Sequence, residues 1–182
     1  MSFAFLGNQG NSYHHKFLIR EIVRLTGCET YLELGIYDGE TVDYIRQVVK
    51  NVYAVDCVDI RNVKETIPGY QFFQMKTDEF FERYPDLRFD IAFIDADHSY
   101  ESAKKDFLNV LERLNKYGCI ICHDSDPINK FYTSPGYCGD SYKLVDYIYE
   151  NHPELNIITL PVTETGISII MRKQDRRALS YN

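Results

Sequence analysis

Five times along this chain a short apolar run ends at Gly, Asp or Thr and gives way to a segment with helical spacing. The runs are "TYLEL", "NVYAVD", "GYQFFQMKT", "RFDIAFIDAD" and "CIICHD". Helical spacing covers residues 13 to 26, where Phe17, Leu18, Ile22 and Leu25 recur until Gly27, and about 40 to 49, with Val42, Ile45, Val48 and Val49. A short helix is expected near "DEFFERY". A longer one is capped by Ser99 and carries Ala103, Phe107, Val110, Leu111 and Leu114 on one face as far as Gly118. A last helix spans about 141 to 151, before Pro153. Strands that are apolar at successive positions are buried on both faces, as in a parallel sheet with helices on either side. The closing strands "LNIITLP" and "GISIIMRK" have no helix between them and can pair antiparallel at one edge. The expected fold is α/β: a Rossmann-like, mostly parallel sheet of seven strands with an antiparallel last strand and helices on both faces.

With 182 residues, 45% of them hydrophobic, the chain can bury one core, so a single domain over 1–182 is expected. Residues 1–12 read as an N-terminal extension and 173–182 as a frayed tail. A net charge of −7 leaves no surplus of Lys and Arg for a phosphate backbone, which disfavours nucleic acid as a partner. No run approaches the roughly 18 apolar residues of a membrane span, and the start lacks a basic region before an apolar stretch. A cytoplasmic protein with no membrane partner is expected. Five cysteines, an odd number scattered through apolar segments, argue for reduced thiols. The C-x-x-C of Cys119 and Cys122 lies inside "GCIICHD" and reads as core thiols before redox or metal duty.

Ligands of such sheets bind beyond the carboxyl ends of the strands. At the end of strand one stands "YLELGIYDGET", whose spacing is E-x-G-x-x-x-G-x-T and not the dinucleotide G-x-G-x-x-G. Gly35 and Gly39 permit a sharp bend, and N–H groups at the following helix start favour a carboxylate or phosphate; the plainer alternative is a turn and nothing more. Glu33 lies in an apolar strand, so its carboxyl needs partners, either backbone amides of the turn or a ligand. Asp56 ends strand two, where a carboxylate can accept two hydrogen bonds from a diol; the alternative is a solvated loop residue. Strands four and five are expected to be neighbours, which brings Asp95 and Asp97 beside His123 and Asp124. Such a group either holds a cation or forms an acidic rim in which His123 bonds a neighbour.

These motifs resemble class I S-adenosylmethionine-dependent methyltransferases over residues 13 to about 172. "ELGIYDGET" with Tyr37, and "FIDADHSY" followed by "ICHDSD", resemble the metal-dependent O-methyltransferases of the catechol and caffeoyl-CoA type and relatives that act on natural-product sugars. The resemblance implies S-adenosylmethionine as donor. It places Glu33, Gly35, Gly39 and Thr41 in the first donor motif, Thr41 toward the donor carboxylate, Asp56 on the ribose and Tyr37 near the transferring methyl. Thr77 or Asp78 would meet the adenine, although a helix N-cap explains either residue as well. Asp95, which also borders the donor, and Asp124 match the family's divalent-metal ligands. His123 departs from the usual carboxylate and shifts preference from Mg²⁺ toward Mn²⁺, Fe²⁺ or Zn²⁺. His98 occupies the position of the family's Lys or His base, and Asp97 could orient it, contact the donor or join the metal shell.

The implied reaction is in-line attack of a deprotonated hydroxyl on the donor methyl, the acceptor being a small hydroxylated molecule such as a sugar or phenol. The segment "SDPINKFYTSPGYCGD" carries Phe131, Tyr132 and Tyr137 and could form an aromatic wall over the acceptor, or a packed surface loop. "FAFLGNQGNSY" could close the site or pair with a second subunit in a homo-oligomer. The rival readings are a noncatalytic S-adenosylmethionine-binding module and a nicotinamide-dependent oxidoreductase, the latter disfavoured by the missing G-x-G-x-x-G.

Overall fold

A computed structural model describes residues 14–58 and 70–174; the N-terminal extension 1–12 and most of the tail lie outside the described residues. Seven strands form one sheet: β1 (Thr30–Leu34), β2 (Asn51–Asp56), β3 (Gln71–Gln74), β4 (Phe89–Ile94), β5 (Leu114–His123), β6 (Leu155–Leu160) and β7 (Ile167–Arg172). Their order is β3-β2-β1-β4-β5-β7-β6, with β7 antiparallel to both of its neighbours and the other pairings parallel. The strand order reverses between β1 and β4, and in open sheets of this kind ligands bind beyond the carboxyl ends of the strands at such a reversal.

Helices α1 (His14–Thr26) and α2 (Glu40–Ile45) cover one face, and α3 (Thr77–Arg83), α4 (Tyr100–Arg113) and α5 (Lys143–Asn151) the other. Alternation along each strand sorts the side chains between two cores. Tyr31, Ala54, Ile91, Phe93, Cys119 and Ile121 pack with Ile19, Val23, Val42 and Ile45. Leu32, Leu34, Val55, Ala92, Ile94, Ile120 and Cys122 pack with Phe80, Phe107, Val110, Leu144 and Ile148. Continuing the alternation puts Glu33, Asp95 and His123 on the α1/α2 side, so the parity of three strands delivers the polar residues of the site. The same parity separates Cys119 from Cys122 onto opposite faces; all five cysteines are free, and burial pushes these two thiols up to about 12.

Two boundaries differ from the periodicity. The apolar spacing carries α2 to residue 49, yet the helix ends at Ile45. It also carries α4 to Gly118, but the helix stops at Arg113 and β5 starts at once with Leu114, across a register irregularity opposite Phe89 and Ile91. Ser99 does cap α4, its Oγ accepting the Ser102 N–H. Among the described residues no helix is long and apolar enough to cross a membrane.

Candidate active site

The chain leaves β1 through a turn whose amides are tied to the end of β2. The Ile36 and Tyr37 N–H groups donate to Asp56 Oδ2 at 2.8 and 3.2 Å, and the Val58 N–H donates to Oδ1 at 2.8 Å. Gly35 has φ +83 and Gly39 φ +79, and Tyr37 between them is itself left-handed at φ 53 and 83% exposed. Gly35 is pressed against β4: a Cβ there would stand 2.2 Å from the Asp95 carbonyl oxygen. Glu33 is buried and accepts a 2.7 Å hydrogen bond from Tyr31 Oη, where turn amides or a ligand were expected as partners. Burial first, then the charges of Asp95 and Asp38, raise its carboxyl well above the usual range despite the Tyr31 bond. Thr41 faces inward; its hydroxyl shares a 3.0 Å hydrogen bond with Nε2 of buried His15.

The register Ile94↔Cys122 sets Asp95 beside His123. Asp124 follows with φ 56, a left-handed conformation that Asp tolerates. His123 Nδ1 lies 3.2 Å from Asp95 Oδ1 and 3.1 Å from Asp124 Oδ1. Burial alone would lower the His123 pKa, but attraction to Asp95 and hydrogen bonds to Asp124 and Asp95 outweigh it and raise the pKa to about 10. His123 thus neutralises part of the acid cluster with its own charge, while its Nε2 is buried with no hydrogen-bond partner. Burial would likewise raise the Asp124 carboxyl, yet the His123 and Thr165 hydrogen bonds and the nearby imidazoles hold it below the usual range.

His98 Nε2 completes the group, 3.3 Å from Asp124 Oδ2 and 3.8 Å from Asp95 Oδ1. Ligand-capable atoms of Asp95, His98 and Asp124 all lie within 4.8 Å of one another. His98 Nδ1 bonds to the Tyr137 carbonyl, which can only accept, so Nδ1 carries a proton, and Nε2 is the atom turned toward the two carboxylates. The His98 carbonyl accepts from Asp140 N and Ser141 N at 3.1 and 3.2 Å, and Gly139 fits only because its missing Cβ would stand 2.4 Å from that oxygen. The segment 125–140 is therefore clamped onto His98. It sets Phe131, Tyr132 and Tyr137 in mutual ring contact, with centroids 5.3, 5.0 and 5.3 Å apart.

The family described as "Methyltransferase domain" matches residues 32–125, just over half of the chain. The chain belongs to this methyltransferase-domain family. The matched stretch runs from the strand before the glycine turn through Asp124. No curated protein matches the sequence. Among solved structures, the O-methyltransferase from Bacillus cereus in complex with SAH superposes with a TM-score of 0.73 at 14% identity, covering 92% of this chain and 84% of that one. The O-methyltransferase TomG from Streptomyces achromogenes in complex with SAM gives 0.68 at 12% identity, covering 91% and 82%. An rRNA methylase from Streptococcus thermophilus gives 0.67 at 10% identity, covering 92% and 100%. At these identities the likeness establishes the fold of S-adenosylmethionine-dependent O-methyltransferases, and the last comparison makes plain that this fold does not by itself select the acceptor.

Three residues assigned from the methyltransferase resemblance are occupied within the fold. Asp97 accepts the Ser99 N–H at 2.8 Å, and the backbone and hydroxyl of Ser99 hold its carboxyl below the usual range. Neither Thr77 nor Asp78 caps α3, since the N-cap is Lys76. Both instead reach α4: Asp78 pairs with Lys105 at 2.5 Å, and the Thr77 side chain hydrogen-bonds Asp106. His15 was not singled out from sequence, although it stands four residues before Ile19 and eight before Val23, on the buried face of α1.

Burial first, with Asp78 and Asp97 adding repulsion, lifts Asp106 from 3.8 to about 7, against the opposing Thr77 bond and Lys105 charge. A carboxyl raised on folding stabilises the folded state below its unfolded pKa, and that contribution is lost as pH rises through the folded value. We expect Asp106→Asn, which can keep an acceptor for Thr77, to remove this decline between about pH 4 and 7. The variant should exceed the parent by up to about 4 kcal/mol above pH 7 and match it near pH 4. Urea unfolding across that range measures the difference, and parallel curves for the two proteins would contradict the assignment.

Proposed function

We propose that the protein is an S-adenosylmethionine-dependent O-methyltransferase acting, with a divalent cation, on a hydroxyl of a small molecule, a sugar or phenol with neighbouring oxygens. It acts as a cytoplasmic enzyme with no nucleic-acid partner. The observation that carries the reading is the meeting of Asp95, His98 and Asp124 within 4.8 Å, at the carboxyl ends of β4 and β5 beside the glycine turn. The donor set suits a cation, since two carboxylates and an imidazole nitrogen fit Mn²⁺ or Zn²⁺ better than Mg²⁺. The glycine turn suits the donor, with Asp56 tied to it and Tyr37 exposed. When bound, the donor supplies an electrophilic methyl on a sulfonium and the cation a charge that acidifies the acceptor hydroxyl.

The chain's own residues do the rest. Three of the roughly four lone-pair sites on Asp56 already accept turn amides, so it can take one ribose hydroxyl without loosening the turn. Gly35 and Gly39 shape the donor's seat. Thr41 contributes through the position of its helix turn, because its hydroxyl is engaged by His15. Glu33, buried and bonded to Tyr31, supports the floor, and the α3–α4 junction of Thr77 and Asp78 borders the adenine side. Asp95, His123 and Asp124 would hold the cation, and His123 would have to give up its Nδ1 proton to serve as a ligand. His98 accepts the hydroxyl proton at Nε2 while Tyr137 holds its Nδ1–H, and Asp97 fixes the loop that carries His98. Phe131, Tyr132 and Tyr137 exclude water from the acceptor.

One lone pair on His98 can serve the proton or the cation, not both at once. Mn²⁺ affinity of His98→Ala decides: retention keeps His98 as the base, while loss moves it into the cation shell and takes the base role from it. The whole reading is tested by calorimetry with S-adenosylhomocysteine and Mn²⁺ in buffers of different ionisation enthalpy. We expect saturable nucleoside binding and release of about one proton on Mn²⁺ uptake. Tight NADH binding with no S-adenosylhomocysteine binding would overturn it in favour of an oxidoreductase.

A further inference from the structure

We propose that His15 is a positioning residue that ties the first turn of α2 to the acid cluster, so that the donor's seat and the Asp-His group move as one unit. The proposal deepens the reading above and rests on it for the donor's place. His15 enters from α1, outside the stretch that carries the family motifs, and is 4% exposed. Its Nε2 shares a 3.0 Å hydrogen bond with Thr41 Oγ1. Its ring stacks on Phe93 of β4, with centroids 5.1 Å apart at 28°, and lies 4.9 Å from the His123 ring, tilted by 56°. His123 in turn touches both Asp95 and Asp124. One imidazole therefore spans the gap between the two halves of the site.

The contact is braced on either side. Lys16 pairs with Glu40 at 2.7 Å, and Arg20 reaches the Tyr44 carbonyl and Gln47 Oε1, both at 3.3 Å. Three positions on α1, His15, Lys16 and Arg20, thus grip α2 and the turn after it, and the innermost of them also contacts the cluster. A rotation of the α2 turn cannot break the Thr41 bond without leaving two polar atoms in the core, so the His15 ring follows, and the His123 ring follows it by packing. The substitution that isolates the link is Thr41→Val, which exchanges a hydroxyl for a methyl.

Two measurements test the proposal. In the first, nitrogen-15 spectra of the imidazoles are recorded without any ligand. Thr41→Val removes a hydroxyl bonded to His15 and is expected to shift the His123 signals through the His15 ring, while unchanged His123 signals would overturn the link. In the second, S-adenosylhomocysteine affinity is measured for the parent, Thr41→Val, His15→Phe and the double variant. Each single change is expected to weaken binding about five- to thirtyfold, with the double variant no weaker than the worse single one. Losses that multiply would overturn the proposal, because they would make the two residues independent. If the parent binds no S-adenosylhomocysteine, the donor reading fails, and the ligand-free spectra still decide the link. Should His15→Phe not fold, Thr41→Val alone carries the first measurement.

Discussion

Gly35→Ala is expected to leave little folded protein. β1 and β4 are central neighbours paired through Leu34↔Ile94, and the Asp95 N–H donates to the Leu34 carbonyl at 2.9 Å as the two strands end together. A Cβ on Gly35 would lie 2.2 Å from the Asp95 carbonyl oxygen, 2.5 Å from Ala96 Cα and 2.6 Å from the Asp95 carbonyl carbon. All three are backbone atoms, so no flexible side chain can swing aside. The left-handed φ of +83 adds roughly 1–2 kcal/mol for any residue with a Cβ. Relief requires parting β1 from β4 or displacing Asp95, and the expected cost is about 4 kcal/mol or more. That is a large share, from about a quarter to about four-fifths, of the roughly 5–15 kcal/mol that stabilises a small domain. Gly27→Ala is the control: φ is +63, but nothing lies within 4 Å, so only about 1 kcal/mol is expected. Urea unfolding of both variants checks this, and a Gly35→Ala protein as stable as the control would mean that the strand ends separate freely.

That close approach was only half legible from the sequence. A glycine after an apolar strand reads as a turn with room for a ligand, whereas here much of the reason for glycine is the neighbouring strand. The sheet itself was legible because successive apolar residues need two covered faces, and the β5-β7-β6 edge because no helix separates the last two strands. Gly118 misled in the opposite direction. It resembles a helix stop, but it lies in β5 where a Cβ would meet the Asp90 carbonyl at 2.6 Å. Asp95, His123 and Asp124 could be brought together on paper because neighbouring parallel strands end side by side. The partner of Glu33 could also have been found, since Tyr31 is two residues earlier on the same face. His15, Asp78–Lys105 and Thr77–Asp106 join separate helices, and such pairs leave no periodic trace in either segment.

The expectation most directly tied to the chemistry is that Asp124→Asn lowers kcat on a confirmed acceptor by about 10²–10⁴-fold while S-adenosylhomocysteine affinity stays within about threefold. Asparagine matches the shape of aspartate, keeps an oxygen for the His123 and Thr165 hydrogen bonds, and tolerates the left-handed φ of 56. What it removes is charge, at a buried position 3.3 Å from His98 Nε2. Alanine would be a poorer probe, because it would add left-handed strain and leave His123 facing a void. The proposed donor seat is the glycine turn with Asp56, neither of which changes, so nucleoside binding serves as the internal standard. If His98 and Asp124 act as one unit, His98→Ala with Asp124→Asn should be little worse than the slower single variant. Undiminished turnover in Asp124→Asn, with nucleoside binding intact, would remove the acid cluster from the reaction and leave His123, already seated between the two carboxylates, as its structural counter-charge.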